Sequence, residues 1–420
     1  MVVVYTESAG GDAVVVTLAL DVPTQPPAMP PNDVELGETE LAALAERLDA
    51  VDSFITYTIK ALAPATLDET TRDTLFEILL DLRLELVDSL AEPPRDGSDP
   101  VRSLFVRTWE HLVPVLQAVA EQQSDYQSAV RYLTFIGAGD LLRTLDRAGP
   151  GVGLDISSDG LRRLAQILVP DAPADVLQRD DTVDPALREA LGFGAPVAAP
   201  RDTNQTSWLD WVVRPAHAAA RLDTRTVKRL NNWVPKPEDM DTYLPMVRAV
   251  LQYVVTEQLK TKDLDRSFRE IYRRLVFTAA WQESCWRQFA AKNSKRVPLE
   301  SGTGDIGMMQ INPKVWRGLY DTHGLKWDIV YNARAGADIL QHHMINYAIR
   351  NSEHKATGQV DSLARSAYAA YNGGPRQYDR YRRKNAPARG KKADALFYEK
   401  YRVFSAGNEL GVKGCFQGLK

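Results

Sequence analysis

Three features of this 420-residue sequence predict a mostly α-helical protein. Apolar residues recur at spacings of three and four over long stretches. Proline and glycine clusters cut those stretches into helix-sized lengths. Strand-like patterning is read only at the amino terminus. At about 150 residues per domain the length suits two or three domains. With 44% hydrophobic and 25% charged residues, the composition is that of a globular protein and excludes wholesale disorder or a fibrous class. No stretch approaches the roughly 18 consecutive apolar residues of a spanning helix, so no transmembrane segment is expected.

Taken in order, Val2–Thr6 and Val14–Leu20, separated by Gly10-Gly11-Asp12, suit a hairpin. Pro23, Pro26, Pro27, Pro30 and Pro31 then form a stiff linker, so residues 1–34 read as an amino-terminal segment. Its start shows no basic region followed by a long apolar run and a small-residue cleavage site. The expectation is a cytoplasmic protein, or a leader upstream of Met1. From Glu38, Leu41, Leu44, Leu48, Val51 and Ile55 mark one face of a helix. Further helices are predicted at about 68–91, 101–123, 126–147 and 159–168, making an acidic α-helical domain over 35–192. Gly149-Pro-Gly-Val-Gly153 reads as a turn, because no strand precedes it as a phosphate loop would require. Residues 193–206 read as a second linker. A basic domain follows over 207–420, opening with helices at about 241–260 and 264–291.

The formal charge of -4 conceals an opposition. Residues 1–200 hold 33 Asp and Glu against 14 Lys and Arg, a net of -19, and residues 201–420 hold 22 against 37, a net of +15. The basic half suits an anionic partner such as nucleic acid, anionic lipid or a cell-wall polymer. Equally, the two halves can attract each other within one molecule.

The helix at 264–291 carries the first chemical signal. Ile271, Leu275, Ala279, Trp286 and Phe289 form its apolar stripe, and Glu283 lies on the edge of that stripe. Apolar surroundings raise a carboxyl's pKa and keep it protonated near neutrality, as a general acid needs. The alternative is a solvated Glu283 paired with Arg287. Downstream, Gly302-Thr-Gly-Asp-Ile-Gly-Met-Met-Gln-Ile-Asn-Pro313 combines glycines, which let backbone approach a ligand, with amides suited to sugar hydroxyls and acetamido groups. Ala370-Tyr-Asn-Gly-Gly374 then sets a Tyr and an Asn at the end of a helix over Ser362–Tyr371.

In this order, Glu283-Ser284, Gly307-Met308-Met309-Gln310 and Ala370-Tyr371-Asn372-Gly373-Gly374 resemble the three motifs of SLT-type lytic transglycosylases, over about residues 260–405. That family has an α-rich, lysozyme-like catalytic domain and cleaves bacterial peptidoglycan. The resemblance implies Glu283 as the single acid and base, with Ser284 helping to hold it. It implies Met309 and Gln310 lining the glycan groove, Tyr371 bonded to the catalytic carboxyl and Asn372 bordering the sugar. Tyr401 is the candidate for a further motif tyrosine. Asp305 occupies the place of a second carboxylate in a run similar to that of c-type lysozymes. It reads either as a contributor to hydrolysis or as a turn-forming residue.

The implied reaction is non-hydrolytic cleavage of the MurNAc-β-1,4-GlcNAc bond to 1,6-anhydro ends, with no metal or organic cofactor. The alternatives are a hydrolytic muramidase using Asp305, or a non-enzymatic peptidoglycan-binding protein. The expected partners are glycan strands, with the acidic domain free to meet cell-wall machinery. The substrate implies a periplasmic or cell-envelope location.

The remaining signals read as structural. His342 and His343 point about 100° apart on a helix and cannot share a metal as an i, i+4 pair would. The run Arg380-Tyr-Arg-Arg-Lys384, with Arg389, Lys391 and Lys392, suits nucleic acid, peptide-stem carboxylates or a solvated face; no nucleic-acid partner is expected. Cys285 and Cys415 are too few for a cysteine-only zinc site. They suit one bridge tying the tail to the catalytic helix in an oxidising compartment.

Overall fold

The computed structural model describes residues 2–7, 13–18, 37–62, 67–94, 98–148, 156–170, 177, 182–196, 222–261 and 264–416, with backbone alone for 2–7, 13–18 and 145–148. The proline-rich linker, the Gly149–Gly153 turn and residues 197–221 lie outside them. Strands β1 (Val2–Glu7) and β2 (Ala13–Leu18) pair antiparallel, Val2 opposite Leu18.

The acidic half supplies helices α1 (Glu38–Leu62), α2 (Glu69–Ala91), α3 (Pro100–Glu121), α4 (Tyr126–Ala148), α5 (Ser158–Leu168) and α6 (Pro185–Ala190). Short polar side chains set several of their starts. Asp68 accepts from the Thr71 amide, Asp99 from Val101, Ser157 from Gly160 and Asp184 from Ala186 and Leu187, each satisfying an orphan N–H of a first turn. Phe54, Phe105, Trp109 and Phe135 close the interior of this half, with ring centroids 5.4 to 6.2 Å apart.

The basic half contains α7 (Thr224–Leu230), α8 (Met240–Thr261), α9 (Arg269–Ser284), a hairpin of β3 (Phe289–Lys292) and β4 (Lys295–Pro298), α10 (Thr322–Trp327), α11 (Ile329–His343), α12 (Glu353–Thr357), α13 (Ser362–Gly373) and α14 (Ala388–Ser405). A π-helical turn, Met344–Ile349, prolongs α11. Helix α9 is the pivot. Tyr272 on it donates to the Ala337 carbonyl of α11 at 2.8 Å, and Tyr243 of α8 donates to the Trp286 carbonyl just past its end, also at 2.8 Å.

Helix α9 stops at Ser284, earlier than the sequence pattern implies. Cys285 and Trp286 turn left-handed, at φ 55° and 64°, a conformation that costs a non-glycine residue on the order of 1 kcal/mol. Long-range ties hold the turn. Cys285 is disulfide-bonded to Cys415. Trp286 is fully buried and its ring N–H donates to the Phe277 carbonyl at 3.0 Å.

The two halves share one hydrophobic core. Phe76 of α2 lies 5.5 Å from Phe193, 6.1 Å from Trp316 and 4.5 Å from His342. The segment expected to open a linker at 193 therefore begins inside the protein. Phe193 is buried and stacks on His342 at 4.4 Å, an anchor that the surrounding Gly, Ala and Pro residues disguise. The charge opposition is also spent internally. Arg350 pairs with Glu69 and Asp73, and Arg376 with Glu77 and Asp81. Buried Arg83 donates to Asp52 at 2.7 Å and to the Arg317 carbonyl at 2.8 Å, while Arg317 itself pairs with Asp52. Burial pushes Asp52 up, but the two guanidinium groups outweigh it and hold the carboxyl below its ordinary range. In the basic run, Arg380 pairs with Asp394, Arg382 with Glu353 and Arg383 with Asp379. No helix among the described residues is long and apolar enough to cross a membrane.

Candidate active site

Glu283 sits in the last turn of α9, where the chain is about to reverse. Its carboxyl is partly buried, and the Tyr368 hydroxyl of α13 donates to its Oε1 at 2.9 Å. Burial pushes the carboxyl up, and the charge of Asp305 adds to the rise. The Tyr368 hydrogen bond and the Lys400 ammonium pull the other way, leaving the group at about 7. Tyr368 is itself locked, fully buried and stacked on Phe397 of α14 at 4.1 Å and 5°. Lys400 is steadied by donating to Gln282 at 2.7 Å. Arg287 does not pair with Glu283: its side chain donates to the Ser284 carbonyl and lies over Phe416.

The Gly307–Gln310 loop is sewn to the helices around it. The Ser284 hydroxyl donates to the Met308 carbonyl at 2.7 Å, so this residue holds the loop rather than the Glu283 carboxyl. The Gln288 side chain accepts from the Met308 amide and the Asn332 side chain from the Met309 amide. Gly307 adopts φ 76°, and a β-carbon there would fall 2.5 Å from Asn332 Nδ2 and 2.6 Å from Gln288 Nε2. Met309 is fully buried rather than lining the groove, whereas Gln310 does line it.

On α13, the Tyr371 hydroxyl donates to the Met309 carbonyl at 2.5 Å. The tyrosine on the Glu283 carboxyl is thus Tyr368, one turn earlier, and Tyr371 holds the loop instead. Asn372 borders the cleft and accepts from Arg380 at 2.9 Å. Tyr401 is absent from the cleft: it is buried on α14, 6.0 Å from Phe397, and its hydroxyl donates to Asp361 at 3.3 Å. Asp305 faces the cleft but its oxygens are engaged. Oδ2 accepts from Ser301 at 2.7 Å and Thr303 at 2.6 Å, and Oδ1 from Asn312 at 3.0 Å.

These groups enclose a cleft of about 470 Å³ that holds Glu283, Asp305, Gln310, Tyr371 and Asn372. One wall belongs to the acidic half: Leu80, Leu84, Val87 and Asp88 of α2. Leu84, Asp88, Thr303, Gly373 and Arg389 also line an adjoining groove of about 710 Å³ between α2, α3 and the basic half. Sequence reasoning missed Tyr368, Gln288, Asn332 and the α2 wall, and read Arg380 only as part of a basic run. Only Tyr368 left a signal, at one helical turn before Tyr371.

A partly buried acid at the base of a cleft, between a glycine loop and a tyrosine-bearing helix, is the arrangement of a lysozyme-like domain. Residues 266–394 match the family described as Transglycosylase SLT domain, a stretch that contains Glu283, the Gly307–Gln310 loop, Tyr368 and Asn372. The basic half therefore carries an SLT domain. No curated protein and no solved structure matches the chain. Among the described residues, no group of three His, Cys, Asp or Glu is placed to hold a metal ion.

Proposed function

We propose that the protein is a peptidoglycan lytic transglycosylase in which Glu283 acts first as acid and then as base. The observation that carries this reading is the Glu283 carboxyl, held at about 7 inside the cleft with one oxygen taken by Tyr368. Its other oxygen, which accepts no hydrogen bond from the described residues, would hand a proton to the glycosidic oxygen between MurNAc and GlcNAc. Positive charge then develops at C1 and is stabilised by the substrate's own acetamido oxygen, one of the recognised departures from the two-carboxylate scheme. The ionised Glu283 takes the proton of the muramic C6 hydroxyl as that oxygen attacks C1. A 1,6-anhydro ring results and no water is consumed.

A hydrolytic reading needs Asp305 as nucleophile or as base for water. Its three side-chain donors make it the clamp of the 301–312 turn. The engaged geometry favours the transglycosylase. A non-enzymatic binding protein would have no use for an acid tuned to neutrality. The substrate assigns the protein to the periplasm or cell envelope.

Mass analysis of products from purified glycan strands separates the readings: anhydro ends are expected, and reducing ends would assign the muramidase. Glu283→Gln should lower lytic activity by at least about a hundredfold. Undiminished activity in that variant would remove Glu283 from both enzymatic schemes.

A further inference from the structure

We propose that Arg380, clamped by Asp394, is a positioning residue that fixes the Asn372 side chain with its NH₂ group toward the cleft, and that this biases the site toward sugars bearing N-acetyl groups. The proposal rests on the reading of the cleft as a glycan site. It assigns to that site a selectivity device outside the three motifs.

Arg380 borders the cleft yet is only 5% exposed, and Asp394 is 4% exposed. Arg380 Nε donates to Asp394 Oδ2 at 3.0 Å and Nη2 to Oδ1 at 2.7 Å, a two-point clamp that fixes the guanidinium plane. The same Nη2 donates to Asn372 Oδ1 at 2.9 Å. Chemistry then decides which way the amide faces. A guanidinium has donors and no acceptor, so only the amide oxygen can meet it. Asn372 is exposed in the cleft wall, and the group left to meet a ligand there is the NH₂, which only donates.

The chain is shaped to admit this guanidinium. A β-carbon on Gly373 would fall 2.3 Å from Arg380 Nη1, and one on Gly390 would fall 2.8 Å from Arg380 Cδ. Gly390 on α14 thus makes room for the same arginine as the motif's Gly373. The donor so presented suits an oxygen that only accepts. An acetamido carbonyl is such an oxygen. A ring hydroxyl can give or take a hydrogen bond, so it gains less from a partner of fixed polarity.

The test is binding, read in the Glu283→Gln background so that no turnover intrudes. Titration calorimetry compares an N-acetylglucosamine oligomer with a glucose oligomer of equal length, which replaces each acetamido group by a hydroxyl. The acetylated ligand should bind about tenfold more tightly, the value of one lost hydrogen bond. Arg380→Gln, whose own amide can face either way, should lose most of that preference while glucose-oligomer affinity stays within about twofold. Arg380→Lys, still a pure donor, should keep most of it. Should the buried pair not tolerate Arg380→Gln, Asn372→Ala removes the exposed amide alone and should abolish the same preference. Equal losses on both ligands, or a preference unchanged in Asn372→Ala, would overturn the proposal. Preference for the acetylated oligomer in a protein that cleaves no glycan would overturn the transglycosylase reading and leave this one standing.

Discussion

In the proposed reaction a carboxyl gives a proton and then takes one back, a task served best by an affinity close to the working pH, and burial against two opposing partners sets Glu283 there. The same tuning has a thermodynamic signature. Its folded value of about 7 lies above the ordinary 4.5, so between those values the folded state holds a proton that the unfolded state has lost. Its contribution to stability is complete below pH 4.5 and is lost as pH rises through 7. At about 1.4 kcal/mol per tenfold, the loss is roughly 3 kcal/mol. Glu283→Gln has no such proton. The stability difference between the variant and the parent, by urea denaturation, should widen in the variant's favour by roughly 3 kcal/mol from pH 4 to pH 8. A gap that does not change with pH would mean the carboxyl is solvated. Glu283 was legible in the sequence because it heads the three motifs; its place on the edge of an apolar stripe by itself left a solvated side chain open. Tyr368 was not, because the motif draws attention to Tyr371, and both tyrosines share one face of α13.

At the scale of elements, the end of α9 sets the site. Continuing the helix would carry Cys285 and Trp286 away from their partners; stopping at Ser284 lets Glu283 face the cleft while Ser284 holds the Met308 carbonyl. Two left-handed non-glycine residues are not a stop signal that a sequence displays, which is why the periodic pattern seemed to run on to 291. The bridge from Cys285 to Cys415 spans 130 residues. Closing so long a loop removes chain entropy from the unfolded state, worth on the order of 2–5 kcal/mol. Reduction, or Cys415→Ser, should therefore lower the thermal midpoint by several degrees in calorimetry, and an unmoved midpoint would show that the tail is not tied in solution.

Across the whole molecule, the acidic half is a wall of the cleft rather than a separate module. Leu80, Leu84, Val87 and Asp88 line the space that contains Glu283, and the buried Asp52, Arg83 and Arg317 fasten α1 and α2 to the loop beside it. Removing one member of a buried ionic cluster leaves the others uncompensated, a loss of roughly 3–5 kcal/mol. Arg83→Met should cost that much in denaturant unfolding, and it should weaken activity although the residue lies outside the catalytic groups. A variant of full stability and activity would show that the halves act independently. The opposed charges visible in the sequence left two outcomes open, an external anion or each other. Arg350 and Arg376 meeting Glu69, Asp73, Glu77 and Asp81 show how much of the opposition is satisfied internally.

The sequence alone displayed α1 to α5 of the acidic half to within a few residues, since period and breakers are local properties of the chain, while the short α6 went unread. It also displayed the SLT-like motifs with Glu283 at their head, because motif identity and spacing are read directly from the chain. Tertiary structure alone decided which tyrosine reaches that acid, that Met309 and Tyr401 are buried outside the cleft, that Phe193 belongs to the core, and that α2 closes one side of the site. Each of these depends on residues tens to hundreds of positions apart, and helical periodicity says which face of a helix is apolar but not what that face will meet.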